Sequence, residues 1–240
     1  MFRFVDSPRL FPPAIRHVSA KFHPDLWSAV GPDEAEACRS VIGHAVPHRR
    51  SEYVAGRRCA VRALELLLAR GPLGLGAVGR RADRSPIWPA GHVGSITHTQ
   101  GYAAAAVSGC ARVRSVGIDS EVLLDGEQVG DLGSFIGNDE EIRRAALAFG
   151  CRRLGTTVLF SAKESLFKCL FPVVSVLFDF SDVQLIDADA SQGTIALELR
   201  RALGGELTSG WRAAGSVRLG LPHVHTGYVL YHDHPGKAAG

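Results

Sequence analysis

The sequence predicts an α+β protein of two halves packed face to face. Three observations lead there. A helix followed by strands is written twice along the chain, once in each half. The 240 residues suffice for one large domain or two compact halves. And 46% hydrophobic with 21% charged residues is the composition of an ordinary globular chain, so a folded core is expected throughout.

Taken in order, residues 1–31 are expected to be irregular, because Pro8, Pro12, Pro13 and Pro24 interrupt any helix. Pro32-Asp33-Glu34 opens a helix, with proline at its first position and acids in its first turn. Residues 49–70 give the clearest helix: Val54, Cys59, Val61, Leu64, Leu67 and Leu68 recur near a 3.6 period, and Gly71-Pro72 stops it. Gly74-Leu75-Gly76-Ala77-Val78-Gly79 matches a dinucleotide-binding pattern, but it follows a helix and does not lead from a strand into one. It is therefore a glycine-rich loop. Val93–His98 reads as a strand end or turn, and 102–107 with 113–118 as two neighbouring strands joined at Ser108-Gly109-Cys110. Residues 138–149 are helical behind an Asn138 cap. A further helix starts near Ser161 and ends before Pro172, followed by short strands at 173–180, 183–186, 194–199 and 228–231.

Several classes of function are excluded at this point. No run approaches the ~20 apolar residues of a membrane span, and Met1–Pro8 lacks the order of a secretion signal. The five cysteines, at 38, 59, 110, 151 and 169, are scattered and odd in number, which points to reduced thiols and a cytoplasmic protein. His223, His225, His232 and His234 lack companion acids or cysteines and read as structural or solvent-facing. A net charge of +3 does not call for a nucleic-acid partner. The lysines, however, are informative: they stand only at 21, 163, 168 and 237, so two of four fall in one short motif.

That motif is Phe160-Ser161-Ala162-Lys163-Glu164-Ser165-Leu166-Phe167-Lys168; about forty residues earlier lies Val116-Gly117-Ile118-Asp119-Ser120-Glu121. Asp119 and Glu121 are two apart, so on an extended segment both carboxylates face one way and repel unless a cation stands between them. Alone, this pair reads more readily as two solvated acids at a strand end. Ser161-x-x-Glu164 alone is equally a helix capping box. Together, three acids with nearby cations are what Mg²⁺ and a pyrophosphate require.

In this order and spacing, Gly94-Ser95-Ile96-Thr97-His98, Gly117-Ile118-Asp119-Ser120-Glu121 and Lys163-Glu164 with Lys168 resemble the Sfp-type 4′-phosphopantetheinyl transferases. Arg84-Ser85-Pro86-Ile87-Trp88-Pro89 and Arg57-Arg58-Cys59-Ala60 resemble the enterobactin-synthetase-associated branch, and the likeness spans residues 49–172. The resemblance implies two similar α/β subdomains in a pseudo-twofold arrangement, 1–116 on the coenzyme A nucleotide side and 117–240 on the metal and catalytic side. It implies Mg²⁺-dependent transfer of phosphopantetheine from coenzyme A to a serine of an acyl, aryl or peptidyl carrier protein, releasing 3′,5′-ADP, in siderophore, nonribosomal peptide or polyketide synthesis. Asp119, Glu121 and Glu164 match metal ligands. Lys163 and Lys168 match lysines beside the phosphates, Lys168 stabilising or protonating the leaving phosphate. His98 matches a contact to the 3′-phosphate with Ser95 beside it, and Arg49, Arg57 and Arg84 are candidates for the nucleotide end. Glu140 is the candidate base, a metal-bound hydroxide the alternative; Ser120 departs from the family pattern and is placed to accept a water. The carrier is expected to dock near the metal on residues 122–138, where Leu123, Leu124, Leu132, Phe135 and Ile136 are apolar. A monomer is expected. The competing readings are a non-catalytic module that binds carrier proteins or coenzyme A, and a Mg²⁺-dependent phosphohydrolase.

Overall fold

The computed structural model describes residues 1–232, so His234 and Lys237 lie outside the described residues. The chain opens with strands β1 (Phe2–Val5) and β2 (Arg16–Phe22), then helices α1 (Pro32–Ile42) and α2 (Pro47–Leu68). A two-stranded ribbon, β3 (Gly79–Arg80) and β4 (Pro86–Ile87), leads to β5 (Val93–Thr99), β6 (Tyr102–Ser108) and β7 (Val113–Val122). Three helices follow: α3 (Gly126–Ile136), α4 (Asp139–Phe149) and α5 (Arg152–Val174). The chain closes with β8 (Val183–Asp189), β9 (Thr194–Leu199), β10 (Arg212–Gly220) and β11 (His223–Tyr231).

Two antiparallel sheets result, in the orders β1-β2-β6-β5 and β7-β11-β10-β9-β8. Helix α2 lies on the first, burying Val54, Cys59, Ala60, Val61 and Leu64. The approach is close: a Cβ on Gly56 would meet Ile96 at 2.8 Å. Strand β6 carries four consecutive alanines, Ala103 to Ala106, because it is buried on both faces. Ala103 and Ala105 meet the α2 core, while Ala104 and Ala106 meet Val116 and Ile118 of β7. Helix α5 is the spine of the second half, with Val158, Leu159, Ala162, Leu166 and Leu170 packed over the five-stranded sheet.

The sheets adjoin through β5 and β7, which form no backbone ladder with each other. Side-chain hydroxyls take its place: Ile118 N donates to Ser95 Oγ at 3.2 Å, and Ser120 N donates to Thr97 Oγ1 at 3.1 Å. Two edge donors of β7 are thus satisfied without a neighbouring strand.

The structure corrects several expectations. Residues 1–31 hold two paired strands, since the prolines fall between and beyond β1 and β2. Strands 102–107 and 113–118 pack face to face but do not pair: β2 and β5 occupy both edges of β6, so β7 crosses to the other sheet and pairs with β11. Residues 93–99 form a full strand. Helix α5 begins nine residues before Ser161, because Gly155 lets it press on the backbone of Ala145, 2.5 Å from where a Cβ would stand. Ser161 is therefore no cap; its hydroxyl meets Thr226 Oγ1 at 2.9 Å. Val173 and Val174 end the helix in place of starting a strand, and β10 went unforeseen.

Candidate active site

Strand alternation decides which side chains of β5 and β7 meet. Asp119 and Glu121 share one face of β7, and Glu164 and Lys168, one turn apart on α5, face them. Asp119 is buried, 2% exposed. Its Oδ1 accepts from Lys168 Nζ at 2.5 Å and from Thr97 Oγ1 at 3.1 Å. Its Oδ2 is buried and has no hydrogen-bond partner. Burial, then the negative charge of Asp119, pushes Glu121 up to about 8, while Lys168 opposes and the Thr99 hydroxyl hydrogen-bonds to it. Burial likewise raises Glu164. Burial works against the Lys168 ammonium, yet Asp119, Glu164 and Glu121 hold it above its ordinary value. Three acids thus converge with one ammonium among them.

An all-oxygen donor set of this kind suits a hard divalent cation. Among the described residues no group of three or more His, Cys, Asp or Glu side chains is gathered closely enough to hold a metal ion. The fit is electrostatic: a carboxylate oxygen without a partner and two acids raised by burial and mutual charge are what a dication relieves.

A cleft of about 710 Å³ adjoins this cluster, lined by Arg49, Arg57, Arg80, Arg84, Glu52 and His98. His98 joins the two regions. Burial lowers its proton affinity; Glu52 and Asp119 oppose that, and Lys168 and Arg49 add to it. Its Nδ1 lies 3.7 Å from Glu52. Arg57 is buried, donates to Val78 O and Gly79 O at 2.9 and 2.7 Å, and stacks over Tyr53. It holds the glycine-rich loop in place as well as lining the cleft. Arg84 reaches the cleft from a turn, with a left-handed φ of 74°. Arg80 was missed, although the doubled arginine after the glycine-rich loop was a visible signal.

Three sequence-predicted site residues do not join this group. Ser95 is buried in the seam with its hydroxyl on Ile118 N, because residues three apart on a strand face opposite ways and His98 takes the cleft side. Thr97, quoted in the motif but given no role, is the residue that orients Asp119. Lys163 is 1% exposed and its ammonium lies 2.9 Å from Glu141. Glu140 is exposed and paired with Arg143 and Arg144, and the Arg143 hydrogen bond lowers its proton affinity, the reverse of what a base needs. Ser120 faces away from the acids, its hydroxyl 2.9 Å from His225 Nδ1, so it stands behind the site.

Two profiles match this chain: residues 36–108 match the 4′-phosphopantetheinyl transferase N-terminal domain, and residues 115–222 the 4′-phosphopantetheinyl transferase superfamily. The chain belongs to the 4′-phosphopantetheinyl transferase superfamily. It is 37% identical to the 4′-phosphopantetheinyl transferase Svp of Streptomyces mobaraensis, over 72% of this chain and 68% of the relative. Against the 4′-phosphopantetheinyl transferase PptT of Mycobacterium tuberculosis it is 34% identical over 83% and 85% of the two chains. Enterobactin synthase component D of Salmonella typhi is 35% identical over 58% and 56%. The protein is thus an enzyme that transfers phosphopantetheine from coenzyme A to carrier proteins, and the binding-module and phosphohydrolase readings give way. Among the described residues of the transferase, no helix is long and apolar enough to cross a membrane.

Two histidines, His17, half-buried on β2, and His225, buried on β11, give a stability prediction. Burial lowers His17 and His225 to about 4, against an ordinary 6.5. The unfolded chain takes up protons there that the folded transferase refuses, so stability falls as pH drops from 6.5 to 4. His225→Asn is expected to flatten that slope, recovering roughly 3 kcal/mol of acid sensitivity; urea unfolding at pH 7.5 and 4.5 measures it, and an unchanged slope would refute it.

Proposed function

We propose that Asp119, Glu121 and Glu164 hold Mg²⁺ beside the pyrophosphate of coenzyme A, and that the arginine cleft holds its nucleotide end. The carrying observation is the convergence of three buried or half-buried acids and Lys168 at the mouth of a cleft lined by four arginines. When bound, the ion supplies charge neutralisation on the pyrophosphate. Everything else falls to this chain. Arg49, Arg80 and Arg84 offer bidentate donors to phosphate, with His98 at the 3′-phosphate. Thr97 and Thr99 orient the acids. The carrier serine oxygen forms the new bond to the phosphorus bearing pantetheine, and the bond to the bridging oxygen breaks. Lys168 neutralises the departing 3′,5′-ADP, and Glu164, which borders both the acids and the acceptor side, takes the serine proton.

The carrier is received on that acceptor side. Phe135 is 67% exposed on the wall of a groove of about 340 Å³ that Glu164 also lines, and Leu132 of the same helix is half-exposed. Leu124 and Ile136, grouped with them on sequence, are core residues. We assign residues 1–116 to the nucleotide side and 117–240 to the metal and catalytic side. The transferase serves siderophore, nonribosomal peptide or polyketide carriers, a reading supported by its likeness to an enterobactin synthase component. It acts as a cytoplasmic monomer without a nucleic-acid partner, supported by free cysteines and a site completed within one chain.

The test is the intact mass of an apo carrier after incubation with enzyme and coenzyme A. One phosphopantetheinyl unit should be gained, lost with EDTA and restored by Mg²⁺; transfer that survives EDTA would remove the ion. Arg84→Ala and Arg80→Ala should each raise KM for coenzyme A about 10-fold or more with kcat nearly kept, the effect of losing a charged contact held equally in ground and transition states. A fall in kcat at unchanged KM would move these arginines out of the nucleotide site.

A further inference from the structure

Lys163 and Glu164 are adjacent on α5, yet their side chains part. Both line the groove, but Glu164 turns toward the acid cluster. The Lys163 ammonium is enclosed by α4, α5 and the start of β8, 2.9 Å from Glu141 and donating to Phe180 O at 2.9 Å. Glu141 is equally committed: it accepts from Leu185 N at 2.9 Å and from Asn138 N at 3.1 Å, closing the cap of α4. No room is left on this pair for a phosphate.

A buried ion pair gains little stability over apolar residues of the same volume, so its value lies in the directed bonds it makes. Here those bonds fix the backbone of one short turn, residues 180–182, through the Phe180 carbonyl. The Phe180 ring meets Phe135 at 5.4 Å and Phe160 at 5.7 Å, both edge-on, and Phe178 meets Phe167 at 5.1 Å. Of these rings, Phe135, Phe167, Phe178 and Phe180 wall the groove that opens beside Glu164.

We propose that Lys163 is a positioning residue for the carrier protein: paired with Glu141, it locks the Phe180 turn so that the aromatic rim stands beside Glu164, and it takes no part in holding coenzyme A. This rests on the reading that the carrier is received at that groove. The two members of the Lys-Glu motif then divide the labour, one shaping the acceptor rim and the other working at the reacting atoms.

The experiment uses the full-length enzyme with an apo peptidyl carrier protein. Lys163→Met alone strands a buried carboxylate, so the informative variant is Lys163→Met with Glu141→Gln, which keeps an acceptor for Leu185 N and volume in the core. The expected result is a KM for the carrier raised 10-fold or more, a coenzyme A dissociation constant within 2-fold of the parent, and faster proteolytic cutting within 175–182. A weakened coenzyme A affinity with an unchanged carrier KM would overturn the proposal and return Lys163 to the phosphates. Unchanged values on both sides, with unchanged proteolysis, would overturn it as well, leaving a structural pair alone. Phe135→Asp separates the underlying reading: if it leaves carrier KM untouched, the groove is not the docking site, whatever the double variant does to the turn.

Discussion

Glu121→Gln should cost the transferase at least ~100-fold in turnover, the usual loss when one charge-stabilising group is removed, and should melt higher than the parent in EDTA. The second half of that expectation follows from the electrostatics of β7. Burial and the Asp119 carboxylate push Glu121 up to about 8. A group whose folded value lies above its ordinary 4.5 contributes fully below pH 4.5, and that contribution is lost as pH rises toward 8. Glutamine keeps the shape and removes the repulsion, so the variant should gain in the cation-free state, by ~3 °C for each kcal/mol recovered in a chain of this size. Mg²⁺ should raise the melting temperature of the parent and leave the variant unmoved. A variant that melts lower in EDTA, or that Mg²⁺ stabilises as well as the parent, would show that Glu121 is not one of the ligands.

Gly117→Ala should be the most damaging small change in the chain. A Cβ there would stand 1.9 Å from the carbonyl oxygen of Ser165 and 2.7 Å from the Cβ of Cys169, because β7 rests directly on the backbone of α5. Neither neighbour is a flexible side-chain end, so strand and helix must separate, at a cost of about 3 kcal/mol or more. The shift also carries Asp119 away from Glu164. Gly130→Ala on α3 is the contrast: nothing lies within 4 Å of its missing Cβ, and alanine should gain roughly 0.5–1 kcal/mol as the better helix former. Urea unfolding of the two variants checks both signs, and equal stabilities would contradict the close packing of β7 on α5.

What could be read from the sequence was what local chemistry decides. The α2 periodicity, the Asn138 cap and the same-facing pair Asp119 and Glu121 each depend on residues a few positions apart, and each stands in the fold as read. The glycine-rich stretch, refused as a dinucleotide fingerprint for want of a helix behind it, leads into no α-helix: its residues 75–77 form a short 3-10 turn. Strand partners were not legible. Nothing in 102–118 says that both edges of β6 are already taken by β2 and β5, since β2 lies some eighty residues earlier. The start of α5 was hidden for a related reason: Gly155 reads as a breaker until Ala145 is seen against it. Two separations could have been read from spacing alone. Lys163 and Lys168 are five apart, about 140° around a helix, so one face cannot hold both. Ser95 and His98 fail the same test on a strand.

The hydroxyl seam between β5 and β7 also governs how the chain can be divided. A cut at residues 109–112 would free two strand edges at once, β5 on one fragment and β7 on the other. Each fragment alone would offer its neighbours a ready template for strand addition. Expressed together, the fragments shield each other, so reassembly competes with aggregation from the moment of synthesis. Ser95 and Thr97 then guard solubility as well as the join between the two sheets.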